Sequence, residues 1–143
     1  MTNGGAETAN ALVMPVVAAA LIDQKGRVLI QQRPLGKPLA GLWEFPGGKV
    51  ERNESPEAAL VRELDEELGI HVEPAALTAS GFASEPLGNR HLLLLLFCCR
   101  RWHGELRALD GQGLTWLPPN DLDTLPMPAS DRSLAATLRL SAV

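Results

Sequence analysis

Three glutamates, Glu63, Glu66 and Glu67, lie within five consecutive positions of the chain. At about 100° per residue they share one helical arc about 100° wide, while Leu60, Val61, Leu64 and Leu68 share another. Asp65 points away from the three. Like charges three and four residues apart cost a helix roughly 0.2–0.5 kcal/mol per pair, so this set calls for a compensating partner. A hard divalent cation is one such partner. Mg2+ takes oxygen ligands from a few carboxylates, waters and phosphates, neutralises phosphate charge and activates water for attack on phosphorus. Arg62 stands beside the acidic arc, where an ion pair would hold a carboxylate in position. An acidic helix face taken alone is usually a solvated surface. Here Gly47 and Gly48 precede it at a fixed loop length, and glycine lets backbone groups approach an ion or phosphate closely. Glu54 sits just ahead of the helix.

The helix that carries these residues is well punctuated. Ser55 can cap it, Pro56 fits the first helical position where its missing N–H does no harm, and Gly69 stops it. Before it, residues 16–22 form an apolar run, residues 23–26 supply turn chemistry, and residues 27–33 alternate into a second strand, a pattern that predicts a hairpin. Residues 34–41 form a Pro- and Gly-rich loop. Residues 43–45 read as a short strand that Pro46, Gly47 and Gly48 terminate. Further strands are expected at residues 76–82, 91–101 and 114–117, with a terminal helix at residues 131–140. Hairpins with one central and one terminal helix predict an α+β or α/β/α sandwich on a mixed sheet.

Length and charge narrow the function classes. A chain of 143 residues, 45% hydrophobic and 21% charged, accommodates one domain with a proper core, assigned to residues 13–143 behind a flexible segment of residues 1–12. The formal net charge of −4, with no long Lys/Arg tract, disfavours a stable complex with DNA or RNA. A small nucleotide stays compatible, because a bound cation reverses the local field. The first dozen residues lack a secretory pattern, and the apolar run at residues 92–99 is far shorter than the roughly 20 residues that span a bilayer. The expected partner is therefore a small molecule, with no membrane. Cys98 and Cys99 are adjacent and would face opposite sides of a strand, so buried, reduced thiols in a cytoplasmic protein are expected. A monomer and a homodimer are both open.

Gly48, Glu54, Arg62, Glu63, Leu64, Glu66, Glu67, Gly69 and Ile70 fill every defined position of the pattern G-x5-E-x7-R-E-U-x-E-E-x-G-U, where U is a bulky aliphatic residue. The chain thereby resembles the Nudix hydrolases. Residues 41–49, GLWEFPGGK, the Asn89-Arg90-His91 triplet, residues 101–105, Gly111-Gln112 and the turn at residues 128–131 resemble the MutT-like branch in the same order, over nearly the whole chain from Val16 onward. The resemblance implies an α/β/α Nudix sandwich and a Mg2+-dependent enzyme, with Mn2+ as a substitute. It implies hydrolysis of a nucleoside triphosphate to the monophosphate and pyrophosphate, with attack at the β-phosphorus. Glu63, Glu66, Glu67 and the Gly48 carbonyl would hold the metal, Arg62 would orient the glutamates, and Glu54 would support the loop. Arg33, Glu44, Phe45, Lys49 and Arg90 would contact the nucleotide, Phe45 by packing on the base, although an isolated Arg is as readily a surface residue. Asp110 lies where the branch carries an additional acidic residue, as an extra ligand or general base; an Asp before Gly also forms turns.

Base choice rests on Asp131. The branch members that prefer 8-oxoguanine carry Asn in this turn. Asn offers a donor and an acceptor, whereas an ionised Asp only accepts. Asp131 could read a base edge, be protonated, or cap the last helix. The leading expectation is an 8-oxo-dGTP diphosphatase that cleans the nucleotide pool. The alternatives are a pyrophosphohydrolase of CTP and oxidised pyrimidine nucleotides, a sugar-nucleotide or dinucleoside pyrophosphatase, and a non-catalytic nucleotide-binding module.

Overall fold

The computed structural model describes residues 12–141. Apart from Leu12, which opens the first strand, the expected N-terminal segment lies outside the described residues. Among the described residues, seven strands form two sheets. One holds β4 (Gly47–Lys49), β1 (Leu12–Leu21), β6 (Arg90–Cys99) and β5 (Leu77–Leu87) in that order; the other holds β3 (Trp43–Glu44), β2 (Val28–Gln32) and β7 (Gly113–Leu117). The larger sheet is mixed, since β1 runs parallel to β6 and antiparallel to β4. Helix α1 (Pro56–Leu68) and helix α2 (Ala129–Ser141) complete the fold with two short 3-10 turns.

Strand β1 sits at the centre because its side chains are small or β-branched and apolar on both faces. Val17, Ala19 and Leu21 pack with Ala59, Leu60, Leu64 and Leu68 of α1. Ala18, Ala20 and the following Ile22 pack with Leu134, Ala135 and Leu138 of α2. The result is helix, sheet, helix, as expected from the sequence. Each fully buried leucine of α1 contributes roughly 1.5–3 kcal/mol by leaving water.

Helix α1 has the punctuation its sequence implies. The Ser55 hydroxyl accepts the Ala58 amide at 3.0 Å, Pro56 leads the first turn, and Gly69 closes the helix in the left-handed region at φ 69°. Two other expectations are corrected, and one strand is added. The turn at residues 23–27 exists, with Asp23 accepting the Lys25 and Arg27 amides, but the flanking strands make a single bridge, Ile22 to Val28, before entering different sheets. Ten register pairs with β6 claim β1 instead. The short strand at residues 43–45 ends as expected before Pro46, and Gly47, Gly48 and Lys49 then form a strand that was not expected, β4, against Val16–Ala18. A Cβ at Gly47 would collide with the Val17 carbonyl, so only glycine allows this pairing. Finally, α2 begins at Ala129, which makes Asp131 its third residue and not a residue ahead of it.

The cysteines are both free; Cys99 is buried and Cys98 only partly so. Among the described residues, no helix is long and apolar enough to cross a membrane.

Candidate active site

Arg62 occupies the middle of an acidic cluster, and its planar fork is used in full. Nε and Nη2 donate to the two oxygens of Glu54 at 3.0 and 2.7 Å. Nη1 donates to Glu63 at 3.0 Å and Glu66 at 2.9 Å, and Nη2 also reaches the Lys49 carbonyl at 3.1 Å. Bidentate, charge-assisted pairs of this kind are the strong ones. Glu54 also accepts the Glu51 amide at 2.9 Å. The Arg62 bonds first, and that amide second, hold the Glu54 carboxyl down at about 2. Glu54 thus ties the loop ahead of α1 to Arg62, in the supporting place expected for it.

Glu63 and Glu67 form a second, drier unit. Their carboxyl groups are hydrogen-bonded to one another. Burial, and then the charge of Glu63, push Glu67 up to about 8; burial likewise raises Glu63, against the pull of Arg62. Two carboxylates in such a place favour one shared positive charge, either a proton or a cation. Glu67 also accepts from the Gly47 amide and from Gln31 Nε2 at 3.2 Å. The backbone of Gly48 presses against Glu63 so closely that a Cβ there would overlap the carboxylate. Glu66, by contrast, is turned onto Arg62 and half exposed. Among the described residues no three acidic, histidine or cysteine side chains already stand together at ligating separation. The oxygen-only donor set of the Glu63–Glu67 pair beside the Gly48 backbone fits a hard cation, which takes such oxygens.

Two cavities meet at this cluster. One of about 120 Å³ is lined by Arg33, Lys37, Glu44, Gly47, Glu67, Asp110 and Gln112, among others. The second, of about 340 Å³, shares Arg33, Glu44 and Gly47 with the first and runs past Gly48 and Lys49 to Phe45, Leu92, Leu94 and Asp131. Arg33 stands at the junction, bonded to Glu44 at 3.2 Å and to the Pro38 carbonyl at 2.7 Å. The larger cavity therefore has an apolar wall and one buried carboxyl at its far end. Asp131 is 7% exposed, and its Oδ2 accepts the Phe45 amide at 3.1 Å. Burial pushes its carboxyl up to about 7, with the charge of Glu44 acting in the same direction.

The residues expected from the sequence are thus distributed as follows. Glu63, Glu67 and Gly48 converge; Glu66 joins them through Arg62. Arg33, Glu44, Lys49 and Asp131 line cavity walls, and Asp110 is an exposed residue at the rim of the smaller cavity. Phe45 also lines the larger cavity, but at 3% exposed it belongs mostly to the core and offers a base only a small edge to pack on. Arg90, at the exposed start of β6, lines neither cavity. Gln31, Lys37, Leu92 and Leu94 were not anticipated. For Gln31 a signal was present: a polar residue inside an otherwise apolar strand must find a buried partner.

The NUDIX domain model matches residues 13–138 of the chain. A CTP pyrophosphohydrolase of Escherichia coli K12 is 41% identical over 115 residues, which cover 80% of this chain and 84% of that protein. An 8-oxo-dGTP diphosphatase of Proteus vulgaris is 42% identical over 96 residues, 67% of this chain and 84% of that one. The solution structure of the E. coli ORF135 protein superposes with a TM-score of 0.83 at 34% identity, covering 99% of this chain and 96% of the other. With the acidic helix, its glycine strand and this likeness over most of its length, the chain belongs to the NUDIX domain family, as a MutT-like pyrophosphohydrolase.

Proposed function

We propose that the protein hydrolyses a nucleoside triphosphate to the monophosphate and pyrophosphate with Mg2+, Mn2+ substituting, and that 8-oxo-dGTP is its preferred substrate. Glu63, Glu67 and the Gly48 carbonyl would hold the cation, with Glu66 released from Arg62 as a further ligand. The bound ion neutralises phosphate charge and lowers the pKa of a water. Arg62 keeps the glutamates in place through its fork to Glu54. Arg33 and Lys37, in the smaller cavity beside Glu67, face the phosphates, and Asp110 at the rim can accept a proton from the attacking water. The base lies in the larger cavity.

Asp131 carries the choice of base. Near neutral pH a carboxyl raised to about 7 is substantially protonated, so it presents an O–H donor beside a C=O acceptor, the pattern an amide would offer. Oxidation at C8 turns N7 of guanine from an acceptor into an N–H donor beside the O6 acceptor. Neutral Asp131 matches that N7/O6 edge and mismatches the same edge of ordinary guanine. A second reading, cytosine nucleotides, has its own support. N4–H2 and N3 of cytosine present the same donor and acceptor pair, and the relative from E. coli that matches over 115 residues is a CTP pyrophosphohydrolase.

The test is pyrophosphate release with Mg2+ across 8-oxo-dGTP, dGTP, CTP and dCTP, compared by kcat/KM, with Glu67→Gln as the inactive control. A kcat/KM for 8-oxo-dGTP far above that for dGTP and CTP is expected. A preference for CTP or dCTP would replace the first reading by the second, and full turnover by Glu67→Gln would remove both.

A further inference from the structure

Gln31 and Gln112 are each 7% exposed, and a buried amide is costly unless its polar atoms are bonded. Theirs are bonded in one direction. Gln112 Oε1 accepts the Asp110 amide at 2.8 Å, while its Nε2 donates to the Glu67 carbonyl at 3.0 Å and, at 3.5 Å, to Gln31 Oε1. Gln31 Nε2 then donates to the Glu67 carboxylate at 3.2 Å. The polarity is consistent along the chain and ends on an acceptor, so neither amide can flip without breaking a bond.

The same short segment closes the end of α1. The Leu109 amide bonds the Glu67 carbonyl at 3.1 Å and the Arg107 amide bonds the Leu68 carbonyl at 3.0 Å, which satisfies carbonyls a helix terminus leaves without partners. The segment that presents Asp110 is therefore docked on the very turn of helix that presents Glu67.

We infer that Gln112, acting with Gln31, is a positioning residue that holds the Glu67 carboxylate and the Asp110 loop in fixed relation, so that both serve one bound cation. This rests on the proposed reading that Glu67 is a metal ligand. Groups that orient a metal ligand typically change metal affinity or activity 10–100-fold when removed. A role limited to filling the core would change only stability.

The test uses Mn2+ alone as probe, its affinity measured by electron paramagnetic resonance, alongside kcat and KM, in Gln112→Met, Gln31→Leu, the double variant and Glu67→Gln. Each single Gln variant is expected to weaken Mn2+ binding about 10-fold and to lower kcat about 10–100-fold with KM within about threefold. Because the two act through one carboxylate, the double variant is expected to be no worse than the worse single one. Faster hydrogen exchange at the Asp110 amide is expected in Gln112→Met but not in Gln31→Leu. Should Gln112→Met fail to fold, Gln31→Leu reads the same carboxylate without touching the loop. Folded Gln variants with wild-type Mn2+ affinity and kcat, beside an inactive Glu67→Gln, would overturn the inference alone; so would losses that multiply in the double variant. An active Glu67→Gln with full Mn2+ affinity would instead overturn the reading on which it rests.

Discussion

Replacing Asp131 by Asn should change how the stability of the protein depends on pH, by an amount that follows from its burial. The carboxyl rises from 3.8 to about 7 on folding because it is buried beside Glu44. A raised carboxyl means that the folded protein binds more protons than the unfolded chain between those two values. Its contribution is therefore lost as pH rises through that window, and the full penalty is present above the folded value. At 1.36 kcal/mol per unit, the two titration curves give a loss of about 3 kcal/mol between pH 5 and pH 8, an upper figure because relaxation of the site softens it. The introduced amide would keep an oxygen for the Phe45 N–H, which Asp131 Oδ2 accepts at 3.1 Å, and would carry no charge at any pH. Urea denaturation of wild type and Asp131→Asn at both pH values supplies the comparison, and the difference between the proteins cancels titration elsewhere. Asp131→Asn should gain on wild type by about 2–3 kcal/mol from pH 5 to pH 8. A constant difference across the range would mean that Asp131 ionises freely in the folded state. The description of a neutral donor at the end of the cavity would then be wrong.

Two further perturbations probe the acidic cluster. Gly48→Ala places a methyl where the Glu63 carboxylate stands; the end of that side chain must swing aside, which should lower kcat at least about 10-fold with little change in the melting temperature, as read by thermal melts and steady-state kinetics together. Arg62→Met removes the fork that holds Glu54 at about 2. A depressed carboxyl stabilises above its ordinary value and loses that effect as pH falls through the depressed one. The stability gap between wild type and Arg62→Met should accordingly narrow from pH 4.5 towards pH 2, in acid titrations followed by circular dichroism.

How much of this was legible in the sequence depended on how far apart the cooperating residues lie. Helix α1 is written within about fifteen positions: Ser55, Pro56, the apolar stripe and Gly69 are all neighbours, and local capping and periodicity suffice to place Glu63 and Glu67 together. The expected pairing of the first two strands failed for the opposite reason. Asp23 does make the turn, but strand partners are chosen by burial on both faces of β1, and β6, some seventy residues later, offers ten pairs where β2 offers one bridge. The base cavity is equally non-local. Asp131 meets Phe45 across 86 positions and Gln112 meets Gln31 across 81. No spacing rule connects such residues, and for Asp131 even the charge state follows only from burial that the fold creates. The resemblance to known hydrolases named many of the residues that line the two cavities, but not the depth at which Phe45 sits in the core or the outlying place of Arg90.

The two ends of the site impose opposite requirements on carboxyl groups of the same type. In the smaller cavity Arg33 and Lys37 face Glu44, Glu67 and Asp110, and Arg33 is already engaged by Glu44 at 3.2 Å. Once Glu67 gives up its proton the side chains there are net acidic, so a triphosphate meets repulsion unless positive charge is added from outside. The Glu63–Glu67 pair, close to Gly47 and the bound arginine, is where that charge would enter on the proposed reading. Asp131 has no cation within its hydrogen bonds and has Glu44 nearby, so the proton is the charge it retains. Phosphate binding should therefore depend on the divalent ion, whereas base recognition should not. A wild-type protein without divalent ions should bind the free nucleoside as well as it does with them, and the triphosphate much more weakly.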